Sequence, residues 1–401
     1  MKEFLKDNTL LSIVYLLQEQ ENFMEKDFYI EALEKWVETK RKQSLEEFVN
    51  LSNWNPSLEF MSKLAIDIPY TFKENPVSYI FSSDYDDITR INILSKWGYN
   101  IEKGITFFNT GSEAILNTIY LLSYLKYKKI YLLCPTYFSI IPICNSIGIE
   151  CEKIFLSRKN NRYYLPANFD KLIEKECCIW ITNPVYCTGN LYSEEDIELL
   201  KQIAIKNGLF IVNDESLCLR QYSISKFFET YDKMITIITP HKALCTNALK
   251  FSAIIYSQIY DSIVDKWADT LEGCLGIGAA AAIKHFLSSD YDLYEQSFIK
   301  AIEENRKSLI PMLNKYHIVY DSKSVSYLLS LYFANISYNF YDDMIKIQNL
   351  INKTNAYFIS GSKNSFPPST GFSFRINLCS INKRYLYALE RTIRYICEER
   401  L

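Results

Sequence analysis

From Gly111 onward, short apolar runs alternate with stretches of helical periodicity, and this alternation constrains the fold more than any other feature of the chain. The runs cover residues 129–134, 151–156, 177–182, 209–214, 234–238 and 251–256, each rich in Ile, Val, Leu and aromatic residues. Strands separated by helical intervals pair in parallel, because a crossover must return the chain to the same edge of the sheet. The sequence therefore predicts an α/β fold whose mostly parallel sheet is sandwiched by helices. The clearest helix opens at Ser193, where Ser193-Glu194-Glu195-Asp196 offers an N-cap and an acid at the third helical position, and it stops at Gly208. Beyond Ser288 the pattern changes to a long amphipathic helix through Ile299, Leu309 and Leu313, then strands near 327–333 and 357–359, then a last helix. These shifts predict a large α/β domain over residues 51–287 and a smaller α+β domain over 288–401, with a helical segment at 1–50.

Composition narrows the functional classes. With 401 residues, 48% of them apolar, the chain can bury a large core. A net charge of -3, from 44 basic and 47 acidic residues, leaves no basic footprint for nucleic acid or an anionic membrane. The 11 cysteines are scattered, with only Cys177 and Cys178 adjacent, a usage expected of reduced thiols in a cytoplasmic protein. The apolar stretch 10–17 is followed by Gln18, Glu19 and Gln20 without a small-residue cleavage site, so no export is expected. No run reaches the roughly 18 apolar residues of a membrane helix. The three histidines and the scattered cysteines lack metal-ligand spacing, so no metal is expected.

Chemistry-bearing residues occur in a definite order: Gly111-Ser112-Glu113, Tyr137, Asn183-Pro184 with Thr188-Gly189, Asp214 closing the run Leu209-Phe210-Ile211-Val212, Thr239-Pro240-His241-Lys242, Lys250, and Arg375 in Phe374-Arg375-Ile376-Asn377. Taken singly each has an ordinary explanation: a solvated loop lysine, a helix-capping aspartate, a Gly-Ser helix start, a surface arginine. Taken in order, from about Asn53 to Arg375, they resemble the pyridoxal-phosphate-dependent class I/II aminotransferases of the aspartate aminotransferase type (fold type I). Pyridoxal phosphate asks a protein for an amine, an anion at its pyridine nitrogen, donors for its phosphate and a flat surface against its ring. The resemblance implies that Lys242 supplies the Schiff-base amine, Asp214 the anion, and Tyr137 the stacking ring. It further implies that Gly111, Ser112, Glu113, Thr239 and Lys250 form the phosphate site at a helix N-terminus, with Asn183 beside the cofactor and Arg375 gripping the substrate carboxylate.

Several positions depart from the family pattern. Tyr186 stands where a second asparagine usually bonds the cofactor's phenolic oxygen, and a phenol can donate the same bond. Leu217 stands where a tyrosine usually serves that oxygen. Lys250 keeps the charge of the usual phosphate arginine but loses its fork. Trp54 replaces a glycine beside the substrate carboxylate, so an indole is expected to line the site. His241, next to the lysine, is placed to shuttle a proton or to serve a structural role. Tyr79 approximates a tyrosine that reaches the phosphate of the partner subunit, and the resemblance implies a homodimer.

The expected activity is that of a PLP-dependent aminotransferase on an amino acid/2-keto acid pair, with Lys242 as the acid-base group. A decarboxylase, lyase, cyclase or replacement enzyme of specialised biosynthesis uses the same constellation. So does a binding or regulatory protein that keeps the fold without turnover, although the leading 45 or so residues are too short for an added DNA-binding domain.

Overall fold

The computed structural model describes residues 35–39, 42, 48–64, 79–271, 273–336 and 340–398. The part of the predicted N-terminal helical segment before residue 35 lies outside them. In chain order the strands are β1 (Val49–Asn50), β2 (Gly104–Phe108), β3 (Lys129–Cys134), β4 (Glu150–Phe155), β5 (Ser157–Lys159), β6 (Arg162–Tyr164), β7 (Cys178–Thr182) and β8 (Phe210–Glu215). They continue as β9 (Met234–Ile238), β10 (Ser252–Tyr256), β11 (Val319–Tyr320), β12 (Leu328–Phe333), β13 (Ala356–Tyr357), β14 (Ile359–Ser360) and β15 (Phe372–Asn377).

Seven of them form the main sheet in the order β2-β10-β9-β8-β7-β3-β4. The run from β9 to β4 is parallel, whereas β10 is antiparallel to both β2 and β9. Every residue of β7, β8, β9 and β10 is buried, as a sheet covered on both faces requires. The two faces separate by strand alternation. Trp180, Val212 and Ile235 pack with Ile115 and Ile119 of the helix Gly111–Tyr124, while Ile179, Ile211 and Met234 pack with Ile197, Leu200 and Ile203 of the helix Glu194–Asn207. Burying each such aliphatic side chain contributes about 1.5–3 kcal/mol. The latter helix has the predicted ends: the Ser193 side chain accepts from the Asp196 N–H, and Gly208 terminates it at φ 65°.

The second sheet, β11-β12-β15-β14, is antiparallel and lies beyond the 27-residue helix Ser289–Lys315. The N-terminal segment joins this half of the structure: β1 pairs with β13, and the Leu51 N–H reaches the Tyr357 carbonyl. Among the described residues no helix is long and apolar enough to cross a membrane.

The topology brings the sequence motifs to one edge. Asn183 follows β7, Asp214 lies near the end of β8, Thr239 follows β9 and Tyr137 follows β3, all at carboxyl ends of parallel strands. Because β10 runs the other way, Lys250 precedes it at that same edge, and the register Ser252↔Phe108 places Gly111 there as well. Ligands of open α/β sheets bind at this edge.

Candidate active site

Lys242 occupies the short helix Pro240–Ala243, where its N–H donates to the Thr239 carbonyl. Its ammonium nitrogen stands 5.5 Å from the Trp54 ring centre and 5.4 Å from that of Tyr137. Burial pushes its pKa down, and the nearby cations Lys250 and Arg375 push the same way against the pull of Asp214. A lysine so placed keeps a supply of the neutral amine that a nucleophile or general base needs.

Asp214 is buried, and its Oδ1 accepts the Ser216 N–H at 3.0 Å. Burial raises its pKa, opposed by the Ser216 hydrogen bonds and by Lys242. A buried carboxylate without an ion-pair partner among the described residues suits a protonated ring nitrogen. Next to it, Glu215 is fully buried and accepts from the Trp97 indole (2.8 Å), the Asn183 amide (3.1 Å), the Ser223 and Ser225 hydroxyls (2.7 and 3.2 Å) and the Ile224 N–H (2.8 Å). This cage fixes the end of β8 and hence Asp214. Sequence reasoning missed Glu215 and Ser216, although four polar residues, Asn213-Asp214-Glu215-Ser216, closing an apolar strand were the signal.

A small polar space opens where Gly111 starts its helix. A Cβ on Gly111 would stand 3.2 Å from Thr239 Oγ1 and 3.6 Å from Ser216 Oγ, so the helix N-terminus, both hydroxyls and the glycine share one small space. Ser216 Oγ is buried beside the Asp214 carboxylate and lines the same space. Ser112 is exposed at the helix start. Thr239 Oγ1 lies 2.9 Å from Ser252 Oγ. The Glu113 carboxylate accepts the N–H groups of Asn109 and Thr110, while Thr110 caps the Glu113 N–H, a reciprocal capping box that fixes the helix start. Lys250 donates to the Asn247 carbonyl at 2.6 Å, close enough to Lys242 to lower its pKa.

Arg375 is 1% exposed, on β15. Its guanidinium stacks on Trp54 at 4.0 Å and donates to the Tyr186 hydroxyl at 3.1 Å and the Ser52 carbonyl at 3.5 Å, with the Cys187 sulfur at 3.6 Å. Its Nε has no partner, and no described carboxylate forms an ion pair with it. The Trp54 backbone is held by Cys245 and Asn247 of the loop that follows Lys242. Trp54 thus joins the amine and the guanidinium through one indole ring.

The Asn183 amide donates to Glu215, to Cys218 (3.5 Å) and to the Tyr222 carbonyl (2.9 Å), which commits its nitrogen to the strand end, while its Oδ1 remains unpartnered. His241 is fully buried with its Nε2 3.0 Å from His285 Nδ1, a contact that suits the structural role the sequence allowed. Burial, and then His285, hold its pKa at about 3, below its ordinary 6.5. The unfolded chain therefore takes up a proton that the folded chain refuses, and stability should fall as pH drops below 6.5, by up to about 1.4 kcal/mol per unit toward pH 3. Denaturant titrations between about pH 5 and 7 should show this slope reduced in His241→Gln. Tyr79 is 76% exposed and stacks on Phe81 at 5.7 Å, apart from the group around Lys242.

Lys242, the buried Asp214 and the helix start at Gly111 thus meet at the carboxyl edge of the main sheet, with Arg375 reaching the same Trp54 indole from β15 of the second sheet. The sequence model of the class I and II aminotransferases matches residues 85–391, well over half of the chain. The chain belongs to the class I and II aminotransferase family. Solved structures share the fold of this aminotransferase chain. Aspartate aminotransferase from Thermus thermophilus with maleate superposes with a TM-score of 0.72 at 14% identity, covering 90% of this chain and 95% of that one. N-succinyldiaminopimelate aminotransferase from Mycobacterium tuberculosis gives 0.71 at 16%, covering 94% and 98%. YbdL from Escherichia coli, with an identified methionine aminotransferase function, gives 0.70 at 16%, covering 90% and 96%. No curated protein sequence matches the chain. Aminotransferases of this family use pyridoxal phosphate.

Proposed function

We propose that this aminotransferase acts on an amino acid/2-keto acid pair, with Lys242 as the amine that joins pyridoxal phosphate. The observation that carries the substrate class is Arg375: a buried guanidinium with only neutral partners, over the same indole as the Lys242 amine, calls for a ligand with a carboxylate near an amino group. The cofactor, when bound, supplies an electron sink for the pair left at the substrate carbon. The chain's own residues do the rest. Ser112, Ser216, Thr239, Lys250 and the amides opening at Gly111 hold the phosphate, Asp214 faces the ring nitrogen, Tyr137 covers the ring, and Lys242 Nζ takes and returns the proton. Burial, then Cys187, keep the Tyr186 hydroxyl protonated against the influence of Arg375, so it can donate to an oxygen of the cofactor while accepting from the guanidinium.

We also propose the division into residues 51–287 and 1–50 with 288–401, a cytoplasmic location, and a homodimer in which Tyr79 reaches the neighbouring site. Incubation with ¹⁵N-labelled amino acids and unlabelled 2-keto acids tests the activity. Label is expected in a new amino acid, in a cofactor-dependent manner. Carbon dioxide or ammonia released without label transfer would instead place the chain among the decarboxylases or lyases.

A further inference from the structure

Away from Lys242, a second group of buried polar side chains spans the seam between the β5–β6 hairpin and the antiparallel sheet. Asp321, 0% exposed between β11 and β12, accepts the Tyr332 hydroxyl at 2.6 Å and faces Arg158 Nη2 at 3.4 Å. The Tyr332 hydroxyl lies 2.9 Å from that of Tyr163, and the Arg158 guanidinium stands 3.9 Å over the Tyr332 ring. Arg158 and Tyr163 are paired across the hairpin, so one hairpin grips one carboxyl and one phenol of the other sheet.

The same seam reaches the carboxylate-binding arginine. Gly189, at φ 65°, lies so close to the turn before β12 that a Cβ would come within 2.9 Å of the Ser326 nitrogen, and the Val325 N–H donates to its carbonyl at 2.9 Å. Ser330 donates to the Cys187 carbonyl at 2.8 Å, and Ser330 is the register partner of Arg375. The loop bearing Tyr186 and the strand bearing Arg375 are thereby joined through β12.

We propose that Asp321 is a positioning residue for the carboxylate subsite: clamped by Arg158 and Tyr332, it holds the β12–β15 pair against residues 183–190 and so sets how tightly Arg375 and Tyr186 grip a substrate carboxylate. The inference rests on the substrate reading of Arg375 given above. The groups facing Asp321 are Arg158 and Tyr163 from the hairpin, Tyr332 from β12, and Cys187 and Asn190 from the loop. Burial raises its pKa to about 7, against the opposing pull of Arg158 and Tyr332. Because that value lies above the ordinary 3.8, the closed seam keeps a proton that a solvated carboxyl releases. Its stabilisation is complete below about pH 4 and is lost as pH rises through 7. Opening the seam exposes the carboxyl, so ionisation favours the open form and loosens the grip.

The test is kcat and KM for an amino acid substrate from about pH 5.5 to 9, together with thermal midpoints, in wild type, Asp321→Asn and Tyr332→Phe. In wild type KM should rise roughly fivefold through neutrality, with kcat within about twofold once substrate protonation is factored out. Asp321→Asn, uncharged throughout, should abolish that rise. Tyr332→Phe, which removes a donor that favours the ionised carboxyl, should move its midpoint upward. A wild-type KM profile retained in Asp321→Asn would overturn the proposal, as would equal losses in kcat and KM. If Asp321→Asn fails to fold, the Tyr332→Phe midpoint decides. A wild type without turnover would sink the aminotransferase reading instead. The thermal midpoint then still reads the clamp: the His241 slope is common to both proteins, so the wild-type midpoint should fall relative to that of Asp321→Asn from pH 5 to 8, and parallel curves would refute it.

Discussion

Exchanging Lys242 for alanine should lower turnover by about 10⁵-fold or more while leaving the fold intact. The side chain contributes an amine poised between two aromatic rings, with its pKa depressed by burial, Lys250 and Arg375, and the Pro240–Ala243 turn that carries it is held by backbone bonds to Thr239. Lys250 cannot take over, because its own amine is bound to the Asn247 carbonyl. Lys250→Ala is the useful contrast. It removes one phosphate-side cation and should weaken cofactor affinity by roughly tenfold without abolishing turnover. Steady-state assays of the two variants with saturating pyridoxal phosphate make the comparison. Activity of Lys242→Ala within tenfold of wild type would be incompatible with the role assigned to it.

Arg375→Leu should lower kcat/KM for amino acids by about 10³-fold, and far less for amines that lack a carboxylate. The reason is the setting of the guanidinium: it is buried, stacked on Trp54 and bonded only to neutral groups, so its charge gains a full partner only when substrate arrives. Cofactor affinity should stay within a few fold, since Asp214, Ser216 and the helix opening at Gly111 are untouched. Measuring an amino acid and its decarboxylated amine side by side separates carboxylate recognition from general damage. Equal losses on both would assign Arg375 to structure alone.

Much of the main sheet was legible because its strands are apolar and bounded by turn residues. Residues 129–134 and 234–238 are strands over those same limits, and Ser193 and Gly208 bound their helix as their side-chain and backbone preferences dictate. The edge strand β2, Gly104–Phe108, was not among the predicted ones, since it starts with glycine and precedes the alternation that opens at Gly111. The β5–β6 hairpin was missed for another reason: Ser-Arg-Lys and Arg-Tyr-Tyr carry no apolar alternation. Of the site, the residues with a fixed order along the chain were readable, and Lys242, Trp54, Tyr137, Tyr186 and Arg375 form one connected group. What escaped were contacts between distant segments. The Glu215 cage depends on Trp97, 118 positions away, and the Asp321 clamp on Arg158, 163 positions away, and no local pattern announces either. The side-chain direction of His241 was equally hidden, because it depends on His285, 44 positions away, whereas the Thr110–Glu113 capping box is a local spacing.

The most direct test of the central claim is to treat the protein with pyridoxal phosphate and borohydride, digest it, and locate the added mass by fragmentation. The account predicts a pyridoxyl group on the peptide containing Lys242, at that residue, and none in Lys242→Ala. Labelling of Lys250 or a surface lysine in its place, or no labelling above that of an unrelated protein, would contradict it.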